Sequence, residues 1–258
     1  MAVRGNAGAK APRTRLDLLV VERGFAASRH QAQGLILAGR VLVDGQKAEK
    51  CGAFVSAEAL LRVVGREQPY VSRGGVKLAA ALDHFVVNPA GKVCLDIGAS
   101  TGGFTDCLLQ RGARQVIALD VGTNQLDWKL RHDPRVVSRE KTNARCLEPD
   151  AIGEPIDLVT MDVSFISATL ILPVIPALLK PHAEVLVLAK PQFEVGRGQV
   201  GKGGVVRDED LRQEAVARVA GKLGELGFSG IASAPSVLPG ACGNLEYFVH
   251  GLWDQEAR

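Results

Sequence analysis

The stretch Leu95-Asp96-Ile97-Gly98-Ala99-Ser100-Thr101-Gly102-Gly103-Phe104-Thr105-Asp106 constrains this chain more than any other. The apolar run from Val93 to Ile97 enters it, a glycine-spaced turn follows, and Phe104 to Gln110 continues with helical character. That order predicts a strand, a tight loop and a helix. Glycines at 98, 102 and 103 let a ligand approach the backbone closely. Their spacing is not G-x-G-x-x-G, and Asp96 stands where a dinucleotide site must accommodate a pyrophosphate. A carboxylate there suits a cation. S-adenosylmethionine has no phosphate and carries a sulfonium, so a D-x-G-x-x-x-G-G loop fits it better than NAD. Asp96, Gly98, Ser100, Gly102, Gly103 and Phe104 are the expected loop contacts. Gln115 to Asp120 supplies the other half: an apolar strand ending, 24 positions after Asp96, in a carboxylate placed to take both ribose hydroxyls.

Beyond this loop, strands are predicted at 135–139, 157–163, 184–189 and 246–251, with helices between them. Such alternation predicts an α/β fold, a parallel Rossmann-like sheet with helices on both faces, whose ligands lie at the carboxyl ends of the strands. Residues at those ends are therefore the ones to read. Asn143 follows the third strand and is placed to bond the adenine; Asp162 follows the fourth, Lys190 the fifth, and Glu246 opens the last. The helix expected over 207–227 carries Leu211, Ala215, Val219 and Leu223 at core spacing.

The charge is uneven. Residues 1–73 hold 12 Lys/Arg against 6 Asp/Glu, whereas 74–258 hold 19 against 22, so a basic N-terminal third precedes a near-neutral remainder. This split points to a polyanion-binding module joined to an enzyme domain. Residues 1–14 read as a flexible basic tail without the apolar core of a secretory signal. The most apolar segment, 168–179, holds Pro173 and Pro176 and falls short of the ~20 residues a membrane span needs. Five cysteines without a C-x-x-C pair argue against a disulfide framework or a zinc site, so no metal is expected and a reducing cytoplasm is the expected location.

Within the basic third, Leu16, Leu19 and Val20 share a helical face that ends at Gly24, and Ser28 caps a second helix running to Ala38. Arg40 to Lys47 then forms a hairpin about Asp44-Gly45. The elements R-L-D-x-x-L, S-R-x-x-A and G-R-V-x-V-D-G resemble the alpha-L RNA-binding domain, a small α+β module, with Cys51-Gly52 standing where that family often has proline and glycine. The resemblance implies that Arg15, Arg29, Arg40 and Lys47 face RNA phosphates, a role lysine and arginine commonly fill. This module is expected over 15–68, a glycine-containing linker over 69–75 with Arg73 still on the RNA-binding side, and the enzyme domain over 76–258. A helix expected over 76–85 puts Lys77 in its first turn, where a cation is electrostatically disfavoured and so suggests a use.

Lys77, Asp162, Lys190 and Glu246 match, in order and context, the K-D-K-E set of the FtsJ-like RNA 2′-O-methyltransferases. With S-R-G-G-V-K-L, D-V-S-F-I-S, K-P-Q-F-E and G-N-x-E-Y, residues 15 to about 252 are similar to the TlyA family, the haemolysin A-like rRNA methyltransferases. That resemblance implies methyl transfer from S-adenosylmethionine to a ribose 2′-hydroxyl of ribosomal RNA, a cytidine, with ribosomal subunits as partners and no obligate protein partner. Two lysines beside one carboxylate disfavour full protonation of both, and the neutral one, assigned to Lys190, acts as base. Asp162 orients it and holds the donor end, while Lys77 and Glu246 fix the ribose. Two other classes compete. An RNA-binding protein with an idle methyltransferase fold is separated by a thermal shift with S-adenosylmethionine. A pore-forming haemolysin is opposed by the lack of an apolar span or a strongly amphipathic basic helix.

Overall fold

Aliphatic residues at both parities dictate strands buried on both faces, and the computed structural model places five such strands in one seven-stranded sheet whose two edge strands are more exposed. It describes residues 12–37, 39–64, 69–240 and 242–254. The chain divides into two compact units, Met1–Glu67 and Gln68–Arg258.

In the first unit, β1 (Arg13–Arg15) pairs antiparallel with β4 (Phe54–Ser56), and β2 (Val41–Val43) pairs with both β3 (Gln46–Lys47) and β5 (Leu61–Val63). Helices α1 (Leu16–Glu22) and α2 (Arg29–Leu37) cover them, burying Leu16, Leu19, Val20, Ala32 and Ile36. The expected hairpin is present, with Asp44 (φ 51°) and Gly45 (φ 84°) turning β2 into β3. Residues 1–11 of the expected tail lie outside the described residues, but Arg13 and Thr14 are not tail: they are paired with Ser56 and Val55.

The second unit opens with α3 (Arg73–His84). The expected linker at 69–75 is thus helical from Arg73, three residues before the expected start. Its second glycine, Gly75, serves packing. A Cβ at Gly75 would overlap the Tyr70 ring, and one at Gly103 would overlap the Ser72 hydroxyl and lie 3.0 Å from the Gly75 nitrogen, so two helix N-termini meet through glycine. Lys77 consequently sits in the second turn, removed from the unfavourable end of the helix dipole.

Strand β6 (Val93–Ile97), α4 (Gly103–Gln110), β7 (Gln115–Leu119), the one-turn α5 (Trp128–Arg131) and β8 (Val136–Arg139) follow. Then come α6 (Pro149–Ile152), β9 (Ile156–Met161), β10 (Leu179–Ala189), α7 (Pro191–Glu194), α8 (Glu209–Glu225), β11 (Ser229–Pro235) and β12 (Tyr247–Trp253). The strand order is β11-β12-β10-β9-β6-β7-β8. Odd positions Val93, Leu95 and Ile97 pack with Val185, Val187 and α8, while Cys94, Leu158 and Leu186 pack with α3 and α4. Between β9 and β10, Pro173 and Pro176 leave 3₁₀ turns over 172–178 in place of an α-helix.

One expectation about the sheet is corrected: it is mixed. β12 runs antiparallel to both β10 and β11. In a wholly parallel sheet Glu246, just ahead of the last strand, would lie at the edge opposite Asp162 and Lys190. Reversal of β12 sets Tyr247 opposite Ala189, bringing Glu246 to the edge where Asp162 and Lys190 emerge.

Candidate active site

The carboxyl ends of β6, β7, β9 and β10 open onto a two-lobed cleft. One lobe, about 380 Å³, is lined by Gly98, Ser100, Asp120, Gln125, Asn143 and Asp162 among others. The second, about 630 Å³, is lined by Arg73, Lys77, Gly103, Phe104, Lys190 and Glu246 among others. Gly98, Ser100, Asp162, Ser164 and Phe165 border both. A turn with φ 84° at Gly98 lets the loop lie against the end of β9; a Cβ there would overlap the carbonyl oxygen of Asp162. Asp162 is fixed from that side by its N–H, which donates to the Ile97 carbonyl at 2.9 Å.

Asp120 lies in the first lobe, where Oδ2 accepts from the Ser100 N–H at 2.8 Å and Oδ1 from the Gly122 N–H at 2.7 Å. Each oxygen keeps acceptor capacity for a hydroxyl. Asn143 caps a 3₁₀ turn, its Oδ1 accepting from the Arg145 N–H at 3.1 Å. Acidic Asp120 and Asp162 line this lobe with no lysine, arginine or histidine among its lining residues. Such a wall repels pyrophosphate and accepts a ribose diol and a sulfonium, which is the fit S-adenosylmethionine requires.

Four of the expected cofactor contacts lie outside the first lobe: Gly103 and Phe104 line only the second lobe, and Asp96 and Gly102 line neither. Asp96 is fully buried on the α3/α4 side of the sheet, accepting from Thr105 Oγ1 at 2.6 Å and Thr160 Oγ1 at 3.3 Å, and it borders neither lobe. Burial pushes its carboxyl up to about 7, against the hydrogen bond from Thr105 and with the help of the Asp162 charge. It braces the loop from beneath. Gly102 (φ 94°) also faces inward, where a Cβ would overlap Leu130 and lie 2.8 Å from Leu126.

In the second lobe the four polar residues form two separate pairs. Lys77 Nζ is 2.5 Å from Glu246 Oε2, both side chains buried, and Lys190 Nζ is 2.6 Å from Asp162 Oδ1. The latter is a charge contact without hydrogen-bond alignment, since Lys190 donates instead to Ser164 Oγ at 2.8 Å. Two lysines crowding one carboxylate is therefore not the arrangement; each has its own. A Cβ at Gly240 would overlap Glu246 Oε1, and buried Asn244 ties the site to a neighbouring loop, accepting from the Val206 N–H at 2.9 Å and donating to the Gly204 carbonyl at 2.8 Å. Phe165, 91% exposed with φ 66°, projects at the rim 5.3 Å from the ring of Phe193. Ser164, Phe165, Phe193 and Asn244 went unread in the sequence as individual site residues, although D-V-S-F-I-S, K-P-Q-F-E and G-N-x-E-Y contain them.

A loop, a strand-end carboxylate and two lysine–carboxylate pairs at one sheet edge agree with the matching family model, FtsJ-like methyltransferase, over residues 70–252. The chain belongs to the TlyA family of FtsJ-like methyltransferases. It is 52% identical, over 94% of its length and 90% of the relative's, to the 16S/23S rRNA (cytidine-2′-O)-methyltransferase TlyA of Mycobacterium tuberculosis. An S4 domain matches residues 14–60, the basic module. A solved structure from Streptococcus thermophilus, named as a hemolysin, superposes with TM-score 0.74 at 40% identity, covering 95% of this chain and 90% of that one. An S-adenosylmethionine-dependent methyltransferase from Listeria monocytogenes shares the fold of 70% of this chain, with TM-score 0.52, 15% identity and 99% of its own chain covered. Among the described residues of this TlyA-family chain, no helix is long and apolar enough to cross a membrane.

In the S4 unit, Asp17 is fully buried and accepts from Arg15 at 2.9 Å and 3.0 Å, and from Arg29 and Gln33 each at 2.9 Å. The Arg15 guanidinium holds its carboxyl well below the usual range. Arg15 and Arg29 are thus set side by side, partly exposed, while Lys47 is exposed on the hairpin and Arg40 bonds the Val64 carbonyl. Arg73 lines the second lobe of the cleft in the other unit.

Proposed function

We propose that this chain transfers a methyl group from S-adenosylmethionine to the 2′-hydroxyl of a cytidine in ribosomal RNA, with Lys77, Asp162, Lys190 and Glu246 around the acceptor. The supporting observation is the pair of lysine–carboxylate contacts in a lobe continuous with the glycine-loop lobe. S-adenosylmethionine, when bound, supplies a methyl already activated by its sulfonium. Gly98, Ser100, Asp120 and Asn143 would hold its adenosine, and Asp162 its charged end.

A ribose hydroxyl is a feeble nucleophile, so alignment and proton removal carry the rate. Lys190 takes the 2′-proton after giving up one of its own to solvent, and Asp162 stabilises the ammonium that forms. Ser164 keeps Nζ directed toward the lobe. Lys77, held by Glu246, donates to the ribose, and Phe165 offers a face on which an unstacked base rests. RNA is required over DNA because only RNA carries the acceptor oxygen. Arg15, Arg29, Arg40, Lys47 and Arg73 bind phosphates, and a ribosomal substrate places the reaction in the cytoplasm. Incubation of the protein with ribosomal subunits and methyl-labelled S-adenosylmethionine, followed by mapping of the label, tests this. Label on a cytidine 2′-oxygen is the expected result; label on a base, or none, contradicts it.

A further inference from the structure

Glu194 ends the short helix α7, four residues after Lys190, and is 3% exposed. Its carboxylate crosses to the loop that follows β9: Oε2 accepts from Ser167 Oγ at 2.5 Å and Oε1 from the Ala168 N–H at 2.8 Å. Ser167 lies five residues after Asp162. The two loops that leave the sheet with Lys190 and Asp162 are therefore joined twice, by the ion pair at one end and by Glu194 at the other. Between these ends lie the Lys190–Ser164 hydrogen bond and the Phe165–Phe193 contact, so the polypeptide forms a closed ring along one wall of the cleft. Glu194 is held from behind as well, its own carbonyl accepting from Arg218 of α8 at 2.6 Å.

Resting on the reading of Lys190 and Asp162 given above, we infer that Glu194 is a positioning residue for methyl transfer: it closes this ring and thereby fixes Lys190, Asp162 and Phe165 relative to one another. It lines neither lobe and touches no reacting atom. A misplacement near 1 Å in such a constellation costs about 10²-fold in rate. What the ring needs from residue 194 is an acceptor for the Ala168 N–H and a partner for the Ser167 hydroxyl. A glutamine supplies both, its carbonyl accepting and its amide donating to Ser167 Oγ.

The test compares single-turnover rates and dissociation constants for wild type, Glu194→Ala, Glu194→Gln and Lys190→Ala. Glu194→Ala is expected to lose about 10²-fold in turnover while its affinities for S-adenosylmethionine and ribosomal RNA stay near wild type. Glu194→Gln is expected to recover most of that loss. If Glu194→Ala fails to fold, Ser167→Ala removes one strand of the same link and is expected to lower turnover in the same direction by a smaller factor. Wild-type turnover in Glu194→Ala overturns the inference, as does Glu194→Gln being equally defective, or wild-type turnover in Ser167→Ala where that variant stands in. A dead Lys190→Ala beside a fully active Glu194→Ala removes only the positioning role. Full turnover in Lys190→Ala removes the catalytic reading and this inference with it.

Discussion

Gly98→Ala isolates what the glycine loop does. Gly98 has φ 84°, so alanine there adopts a left-handed conformation, at about 1 to 2 kcal/mol. Its Cβ would also overlap the Asp162 carbonyl oxygen and lie 2.9 Å from the carbonyl carbon. Both are backbone atoms, so no side chain can rotate away, and forced overpacking adds roughly 1 to 3 kcal/mol. The total, about 2 to 5 kcal/mol, is large against a typical stability of about 5 to 15 kcal/mol but leaves a folded protein. Relief requires the loop to move from Asp162, and Gly98 borders both lobes, so S-adenosylmethionine affinity should fall together with stability. Gly91→Ala is the control: φ is 73° and a Cβ meets nothing within 4 Å, so only the same conformational cost of about 1 to 2 kcal/mol applies. Urea unfolding and titration calorimetry on both variants give the comparison. Equal destabilisation of the two, with wild-type cofactor affinity in Gly98→Ala, would refute the close-approach role.

Asp120→Ala should weaken S-adenosylmethionine binding by roughly 1 to 3 kcal/mol in calorimetry, because it removes the proposed ribose acceptor and releases the Ser100 N–H. Asp96 binds a proton more tightly folded than unfolded, so its contribution is full below about 4 and is lost as pH rises toward about 7. Denaturation midpoints for Asp96→Asn across that window should show a shallower fall than wild type; an identical slope would mean the buried carboxyl does not govern it. Replacing Arg29 and Arg40 by glutamate should weaken RNA binding and flatten its salt dependence while cofactor affinity is unchanged, as titrations at several salt concentrations would record.

The glycine loop and the strand-end positions of Asp120, Asp162 and Lys190 were legible because local spacing encodes them, whereas Lys77 and Glu246 were singled out chiefly by the family resemblance. Val93 to Asp120 contains its own strand, turn and helix signals, and strand ends can be found without knowing strand order. Side-chain direction was harder to read. Asp96 lies two residues before a glycine that lines the cleft, yet it shares a strand face with Cys94 and packs beneath α4. The edge strand β11 was missed because Ser229-Gly230-Ile231-Ala232-Ser233-Ala234-Pro235 is short of large apolar residues and mostly exposed. Without it, nothing in the sequence revealed that β12 is reversed, although that reversal delivers Glu246. Gly75 read as part of a linker and proved to be a close-packing position, because a glycine's neighbours are set by tertiary contact. Glu194 was only one letter of K-P-Q-F-E, its partner Ser167 lying 27 residues away.

Single-turnover methyl transfer to saturating ribosomal RNA by Lys190→Ala and Lys190→Arg tests the central claim most directly. Loss of the base should lower the alanine variant's rate by ~10² to 10⁴, with both ligands still bound. The arginine variant should fail nearly as badly, because a guanidinium cannot accept a proton at neutral pH. Near-wild-type turnover in Lys190→Ala would contradict the assignment of the site, and substantial turnover confined to Lys190→Arg would leave the site standing as an electrostatic clamp but contradict proton transfer to Lys190.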